Sequence, residues 1–347
     1  MPQKNKISFK NILTKKQYII VFIFFIAVLS LLYYTFFTPN YFGRNSFRLD
    51  IKKGTALNEV IDTLFEAGII PGKKNMRIAA FLLGAETSIK AGRYLIPNGI
   101  SYVNLVEMFK EGKFEIPVYV HIYKGITDKA LAHILKEKLF VDSTYVMKLC
   151  KDKNFIDSLG LKTTSLEGYL LPGDYGIYKD ASAKEILEKL NGELNKFLVD
   201  SLRQRINEMQ YNLHQILTMA SIIQGESKKV DEYTTIAGVY YNRLKKGMKL
   251  QADPTIQYSL NTGWRRLLSR DLLINSPYNT YLYYGLPPGP INNPGKAAIL
   301  AALYPEKHNY YYFVADGTGG HKFSRNYSEH LRAVREYRKS LGEQYYK

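Results

Sequence analysis

The residue types best suited to chemistry gather around Glu226. It closes a segment in which Leu213, Ile216, Leu217, Met219, Ala220, Ile222 and Ile223 cover most of a helical circumference, a pattern that predicts a buried core helix over about 213–228. Near its end stands Gln224-Gly225-Glu226-Ser227. A glycine there costs about 1 kcal/mol relative to alanine, and it clears space for something to approach the backbone beside Glu226. A carboxyl desolvated against an apolar helix face stays protonated to a higher pH than usual, which is what a general acid requires. Periodicity alone leaves a second reading open, an ordinary solvated glutamate in a fraying last turn.

Downstream the periodic signals give way to turn chemistry. Gln251-Ala252-Asp253-Pro254-Thr255, Asn275-Ser276-Pro277-Tyr278-Asn279-Thr280 and Gly285-Leu286-Pro287-Pro288-Gly289-Pro290 set Pro, Gly, Asn and Ser at close intervals. Such residues fix loop shapes. Loops rich in Asn, Gln, Ser, Thr and Tyr offer the donors and acceptors that sugar hydroxyls and acetamido groups need, although they also simply turn corners.

The elements that must position these groups begin with a hydrophobic run. Residues 18–37 carry no charge, and a helix of that length spans about 30 Å of hydrocarbon. A single transmembrane helix is expected, with residues 1–17 as a cytoplasmic tail. No A-x-A-like cleavage site follows, which weighs against a signal peptide. Lys4, Lys6, Lys10, Lys15 and Lys16 precede the span, and the first charge after it is Arg44. The positive-inside rule then places the N-terminus in the cytoplasm and the bulk of the chain outside the cytoplasmic membrane. The net charge of +17 suits anionic surroundings, and on the outer side it points to a membrane leaflet or a carboxylate-bearing polymer, with no nucleic acid as partner. Cys150 is the only cysteine, so an internal disulfide and a Cys-rich zinc site are excluded.

Beyond the span, Phe47, Leu49 and Ile51 alternate as in a strand, a turn follows at Gly54-Thr55, and Leu57, Val60, Ile61 and Leu64 have helical spacing. Val118, Val120 and Ile122, then Gly125, then Leu131, Ile134 and Leu135 repeat the pattern at an offset of 71 residues. Small strand-turn-helix units of this kind resemble LysM-type glycan-binding modules, and a purely structural α/β unit fits the same pattern. From Ala183 to about Met209 one long amphipathic helical stretch is expected.

Leu166-Glu167-Gly168-Tyr169, residues 220–227, Tyr241-Asn242-Arg243-Leu244, residues 247–255, Ser276-Pro277-Tyr278-Asn279-Thr280-Tyr281, residues 285–291, Phe313-Val314-Ala315-Asp316-Gly317 and Gly320-His321-Lys322-Phe323 follow one another along the chain. These motifs, in this order, resemble the YceG-like family, also called MltG, of endolytic murein transglycosylases. Family members commonly read Glu-Lys-Glu where this chain has Gln224-Gly225-Glu226, which singles out Glu226 as the counterpart of the catalytic glutamate. They tend to read Pro-Asp-Thr-Tyr where it has Pro172-Gly173-Asp174-Tyr175, so Asp174 is assigned no role.

The resemblance implies an α+β chain with a LysM-like α/β region over 44–160 and a mixed α/β catalytic domain over 161–347. It implies cleavage of the bond from N-acetylmuramic acid to N-acetylglucosamine in peptidoglycan, with 1,6-anhydro ends and the termination of nascent strands. Glu226 would give a proton and take one back, with no metal or other cofactor. Candidate substrate-positioning residues are Asn242, Gln251, Asp253, Tyr258, Ser276, Tyr278, Asn279 and Thr280. For Glu167 and His321 structural roles are preferred, one pinning a junction and one capping a loop. Partners would be glycan strands, the membrane and peptidoglycan synthases. A muramidase-type hydrolase using two carboxylates, Glu226 and Asp253, and a catalytically silent wall-binding scaffold are the alternatives.

Overall fold

The structure, a computed structural model, describes residues 14–263 and 265–345. The chain divides into two compact units, Met1–Ile116 and Pro117–Lys347. The fold is α+β: helices predominate, and the named strands form three separate antiparallel two-stranded sheets.

The first unit opens with α1 (Lys15–Phe37), whose start is set by a capping box between Thr14 and Gln17. Almost all its side chains are exposed and only Phe36 is buried. A helix apolar on every face needs surroundings other than water. With a mean hydropathy of 2.6 over its apolar window, α1 is long and apolar enough to cross a membrane. Lys4, Lys6 and Lys10 lie outside the described residues. Then come β1 (Ser46–Ile51), α2 (Leu57–Glu66), α3 (Lys73–Leu82), β2 (Gly92–Pro97) and α4 (Tyr102–Glu111). β1 and β2 pair with Leu49 opposite Tyr94 and Phe47 opposite Ile96. The two-residue alternation turns Leu49, Ile51, Tyr94 and Ile96 into one core with Ile61, Leu64, Met76, Leu105 and Phe109. Phe36 joins that core, edge-on to Tyr102 with centroids 6.4 Å apart.

The second unit runs through β3 (Val118–Ile122), α5 (Asp128–Leu139), α6 (Ser143–Leu149), α7 (Lys153–Ser158), β4 (Gly173–Ile177), α8 (Ala183–Phe197), α9 (Asp200–Glu208) and α10 (Leu213–Glu226). It continues through α11 (Tyr233–Lys245), α12 (Asp253–Leu260), α13 (Lys296–Leu303), β5 (Tyr312–Ala315), β6 (His321–Ser324) and α14 (Tyr327–Tyr345). The sequence repeat is present as β1–α2 and β3–α5, but its copies belong to different units. β3 pairs with β4, with Val120 opposite Tyr175, and Val120 and Ile122 share a core with Leu166, Leu170, Ile186 and Leu190. Packing divides the chain at 116/117, so β3 and α5 belong to the second unit.

The single long helix expected over 183–209 is two helices. The chain leaves helical geometry at Leu198, where ψ is 67°, and the break lets Leu198 and Leu202 both reach the core. That core is built on α10, capped at its start by Asn212 and Gln215. Ala298, Ala301 and Ala302 leave α13 slim enough to pack directly on α10 and α11.

Candidate active site

Glu226 is the last residue of α10, and Ser227 beyond it is extended at φ −133°. The C-terminal end of a helix carries partial negative charge, which disfavours an ionised carboxylate. The residue keeps some surface open while its carboxyl is crowded by protein. Burial pushes that carboxyl up to about 8, with the negative charge of Asp253 acting in the same sense. Two neighbours oppose the rise: the Tyr240 hydroxyl, which donates to Glu226 Oε1, and the positive charge of Arg243.

Gly225 explains how Asp253 comes near. A β-carbon on Gly225 would lie 2.7 Å from Pro254 Cβ, so the space opened by the glycine is filled by the first turn of α12. The end of α10 and the start of α12 meet there, side by side with Glu226 and Asp253. Asp253 Oδ1 accepts a hydrogen bond from Tyr281 at 2.5 Å. The segment before α12 is pinned by Thr280, whose carbonyl accepts from Gln251 N–H at 3.0 Å and whose hydroxyl accepts from Ala252 N–H at 2.9 Å. Gln251 takes a left-handed φ of 50° and its side chain is exposed.

The other candidate residues divide by what their polar atoms already bind. Thr280 and Asn279 are buried; Asn279 donates to the carbonyls of Leu272 and Ile274 at 3.0 and 2.8 Å. Asn242 donates to the carbonyls of His308 and Tyr310 at 2.8 and 3.1 Å. These three hold loops in place. Ser276 Oγ accepts from Ser259 at 3.1 Å and from Tyr278 N–H at 3.3 Å. Tyr258 and Tyr278 stack obliquely with centroids 4.9 Å apart and keep partial exposure. Asp253, bonded through Oδ1 to Tyr281, and Gln251 are exposed, and the tyrosine pair, whose hydroxyls bond each other, keeps part of its surface open to a ligand.

Tyr240, Tyr281 and Arg243 join the site only through the fold. Tyr240 and Arg243 are three apart and so share a face of α11, a spacing visible in the sequence. Arg243 is buried, donating to the carbonyls of Tyr311 and Leu250 at 2.6 Å each. Tyr281 closes the Ser276-Pro277-Tyr278-Asn279-Thr280-Tyr281 motif, but nothing in its spacing announces a bond to Asp253.

Glu167 is buried beneath the start of α5, accepting from Asp128 N–H at 3.1 Å, and Asn293 donates to Asp128 Oδ1 at 3.0 Å. Burial raises both carboxyls, so this cluster favours retaining protons. His321 meets Glu232 through its N–H at 2.9 Å and through its ring at 2.7 Å, tying the β5–β6 hairpin to the segment after α10. Asp174 pairs with His121 at 2.7 Å on the exposed side of β3–β4. A concavity of about 480 Å³ is lined by Tyr211, His214, Thr218 and Pro288. It sits along the first half of α10, about 12–20 Å along the helix from Glu226, which is not among its lining residues. Among the described residues no cluster of three or more His, Cys, Asp or Glu is arranged to hold a metal ion.

A model of the YceG-like family matches residues 49–336. The endolytic murein transglycosylase of Bacillus subtilis is 29% identical over 316 residues, 87% of each chain. The enzyme of the same name from Streptococcus pneumoniae is 28% identical over 370 aligned residues, covering 93% of this chain and 65% of its own length. The 2.6 Å crystal structure of a YceG-like protein from Listeria monocytogenes superposes with a TM-score of 0.58 at 30% identity, covering 83% of this chain and 98% of that one.

Proposed function

The chain belongs to the YceG-like family, and from that premise we propose that it is an endolytic peptidoglycan lytic transglycosylase with Glu226 as its acid and base. The observation that carries the assignment is the Glu226 carboxyl at the end of a buried helix, where Tyr240 donates to Oε1 and burial raises the carboxyl's hold on its proton. Glu226 gives its proton to the oxygen joining N-acetylmuramic acid to the next sugar. The C1–O bond breaks with its electron pair on that oxygen, leaving an oxocarbenium-like centre at C1. The muramyl C6 hydroxyl attacks C1 and its proton passes to the Glu226 carboxylate, which is thereby restored. One carboxyl serves both steps, and no water, metal or other cofactor is consumed. Asp253, Gln251, Tyr258 and Tyr278 hold the sugars; Ser276, Asn242, Asn279 and Thr280 shape the loops that carry them.

In this reading α1 anchors the protein in the cytoplasmic membrane with its N-terminus inside, which keeps the catalytic unit among nascent strands and their synthases. The β1–α2 part, LysM-like in its strand-turn-helix order, holds glycan. A muramidase-type hydrolysis remains the competing reaction because Asp253 supplies a second carboxylate near Glu226. Mass spectrometry of digested peptidoglycan separates the two. The lytic reaction yields 1,6-anhydromuramic ends, hydrolysis yields reducing muramic ends one water heavier, and predominance of the latter overturns the assignment.

A further inference from the structure

We propose that the Tyr240 hydroxyl is a positioning group for Glu226, holding carboxyl Oε1 so that Oε2 carries the transferable proton. The mechanistic half of this rests on Glu226 being the acid; the hydrogen bond itself does not.

The geometry gives Tyr240 little choice of partner. The residue is 1% exposed, in the buried stretch of α11. Its ring is held edge-on to Phe313 at 5.9 Å and 85°. α11 is pinned in turn: a β-carbon on Gly238 would lie 2.4 Å from the Glu306 carbonyl, and Asn242 is bound to the carbonyls of His308 and Tyr310. A buried hydroxyl on so fixed a ring must find an acceptor, and it finds Glu226 Oε1. Burial and the adjacent carboxyl keep Tyr240 protonated, so it acts as a donor throughout.

Four groups face the Glu226 carboxyl or its tyrosine. Tyr240 and Arg243 on α11 favour the carboxylate, Asp253 on α12 opposes it, and Tyr281 beyond α12 reaches Asp253. Arg243 is committed to the carbonyls of Tyr311 and Leu250, which leaves Tyr240 as the group in direct contact. A donor on Oε1 steadies the carboxylate formed when the proton leaves, and the same contact prevents burial from making the acid too weak to give its proton up.

The test uses the full-length protein in detergent. The infrared carbonyl band of the protonated Glu226 carboxyl, assigned by subtraction of Glu226→Gln, is titrated in the wild type, Tyr240→Phe and Tyr281→Phe, with circular dichroism as the check on folding. Phe fills the same ring space, so the Phe313 contact is retained. The expected result is a Tyr240→Phe titration about one pH unit higher than the wild type, a far smaller move in Tyr281→Phe, and an alkaline limb of strand cleavage that follows the band. An unmoved band in folded Tyr240→Phe, or equal moves in both variants, overturns the proposal. Retained cleavage by Glu226→Gln would instead overturn Glu226 as the acid, while a shifted band would still support the Tyr240 contact.

Discussion

Gly225 and Pro254 compete for one space. The β-carbon that Gly225 lacks would stand 2.7 Å from Pro254 Cβ, closer than such atoms pack, so the contact between the ends of α10 and α12 exists only because position 225 is glycine. Glu226 follows one residue and Asp253 precedes the other. The closeness of the two carboxyls is thus a consequence of helix packing.

Gly225→Ala accordingly separates stability from activity. Alanine gains about 1 kcal/mol of helix propensity, while overpacking costs about 1–3 kcal/mol. The net loss is about 0–2 kcal/mol, and thermal unfolding should shift down by a few degrees at most. Relief of the clash must move α12 or the end of α10, and with them the alignment of Glu226. Cleavage should fall by about 10²-fold, the scale of a 1 Å misplacement. Wild-type rates in a normally folded Gly225→Ala protein would show that this helix contact does not set the geometry of the site.

Glu226→Gln should abolish strand cleavage without unfolding the protein, because Gln is nearly isosteric and has no proton of useful acidity. Loss of general acid catalysis costs about 10²–10⁴-fold. Asp253→Asn should only weaken cleavage, since its partner Tyr281 also bonds an amide oxygen and the C6 hydroxyl needs no second carboxylate. An Asp253→Asn enzyme as inactive as Glu226→Gln, with reducing muramyl ends from the wild type, would move the protein to the two-carboxylate hydrolases.

The sequence shows the groups that local pattern specifies. Glu226 is legible because one apolar helix leads directly to it, and β1, α2, β3 and α5 because their periods are clean. The pairings between distant segments are hidden. Gly225 announces a close approach without naming Pro254, and Tyr281 gives no sign of Asp253. Asn242, Asn279 and Thr280 suit sugar hydroxyls by type, yet they face backbone groups of other loops, which only tertiary packing decides. The unit boundary at 116/117 depends on β3 pairing with β4, more than fifty residues away along the chain. The helix break at Leu198 lacks a Gly or Pro and follows from where Leu198 and Leu202 must be buried.

Truncation at the membrane helix should be sensitive to where the cut falls. Phe36 is buried in the first unit's core, and Asn40 N–H and its side-chain amide both donate to the Ile100 carbonyl at 3.0 Å. Removing residues 1–40 deletes these contacts together with the span. Loss of a buried Phe alone costs about 3–5 kcal/mol. A chain beginning at Thr35 should melt higher in its first unit than one beginning at Tyr41, by calorimetry. Equal melting would mean that Phe36 contributes nothing to that core.

Stability should also report the protonation of Glu226, with a definite sign. Its carboxyl is raised from an ordinary 4.5 to about 8 in the folded protein, so the folded state holds the proton more tightly than the unfolded state does. The stability linked to that proton is fully present below the ordinary value. It declines as pH rises above it, and the loss is complete once pH passes through about 8. Asp128 and Glu167 are raised by burial too and impose a slope of the same sign, but they do so equally in wild type and Glu226→Gln. The difference between the two proteins therefore isolates Glu226. From pH 5 to pH 8 Glu226→Gln should gain on the wild type by about 1–3 kcal/mol in urea unfolding, a range discounted for the partial opening of the site to solvent. Wild-type cleavage should fade over the alkaline end of the same window as the acid loses its proton. A constant difference across that range, with cleavage undiminished at pH 9, would place the Glu226 proton at an ordinary carboxylate's acidity and remove the basis for its role as general acid.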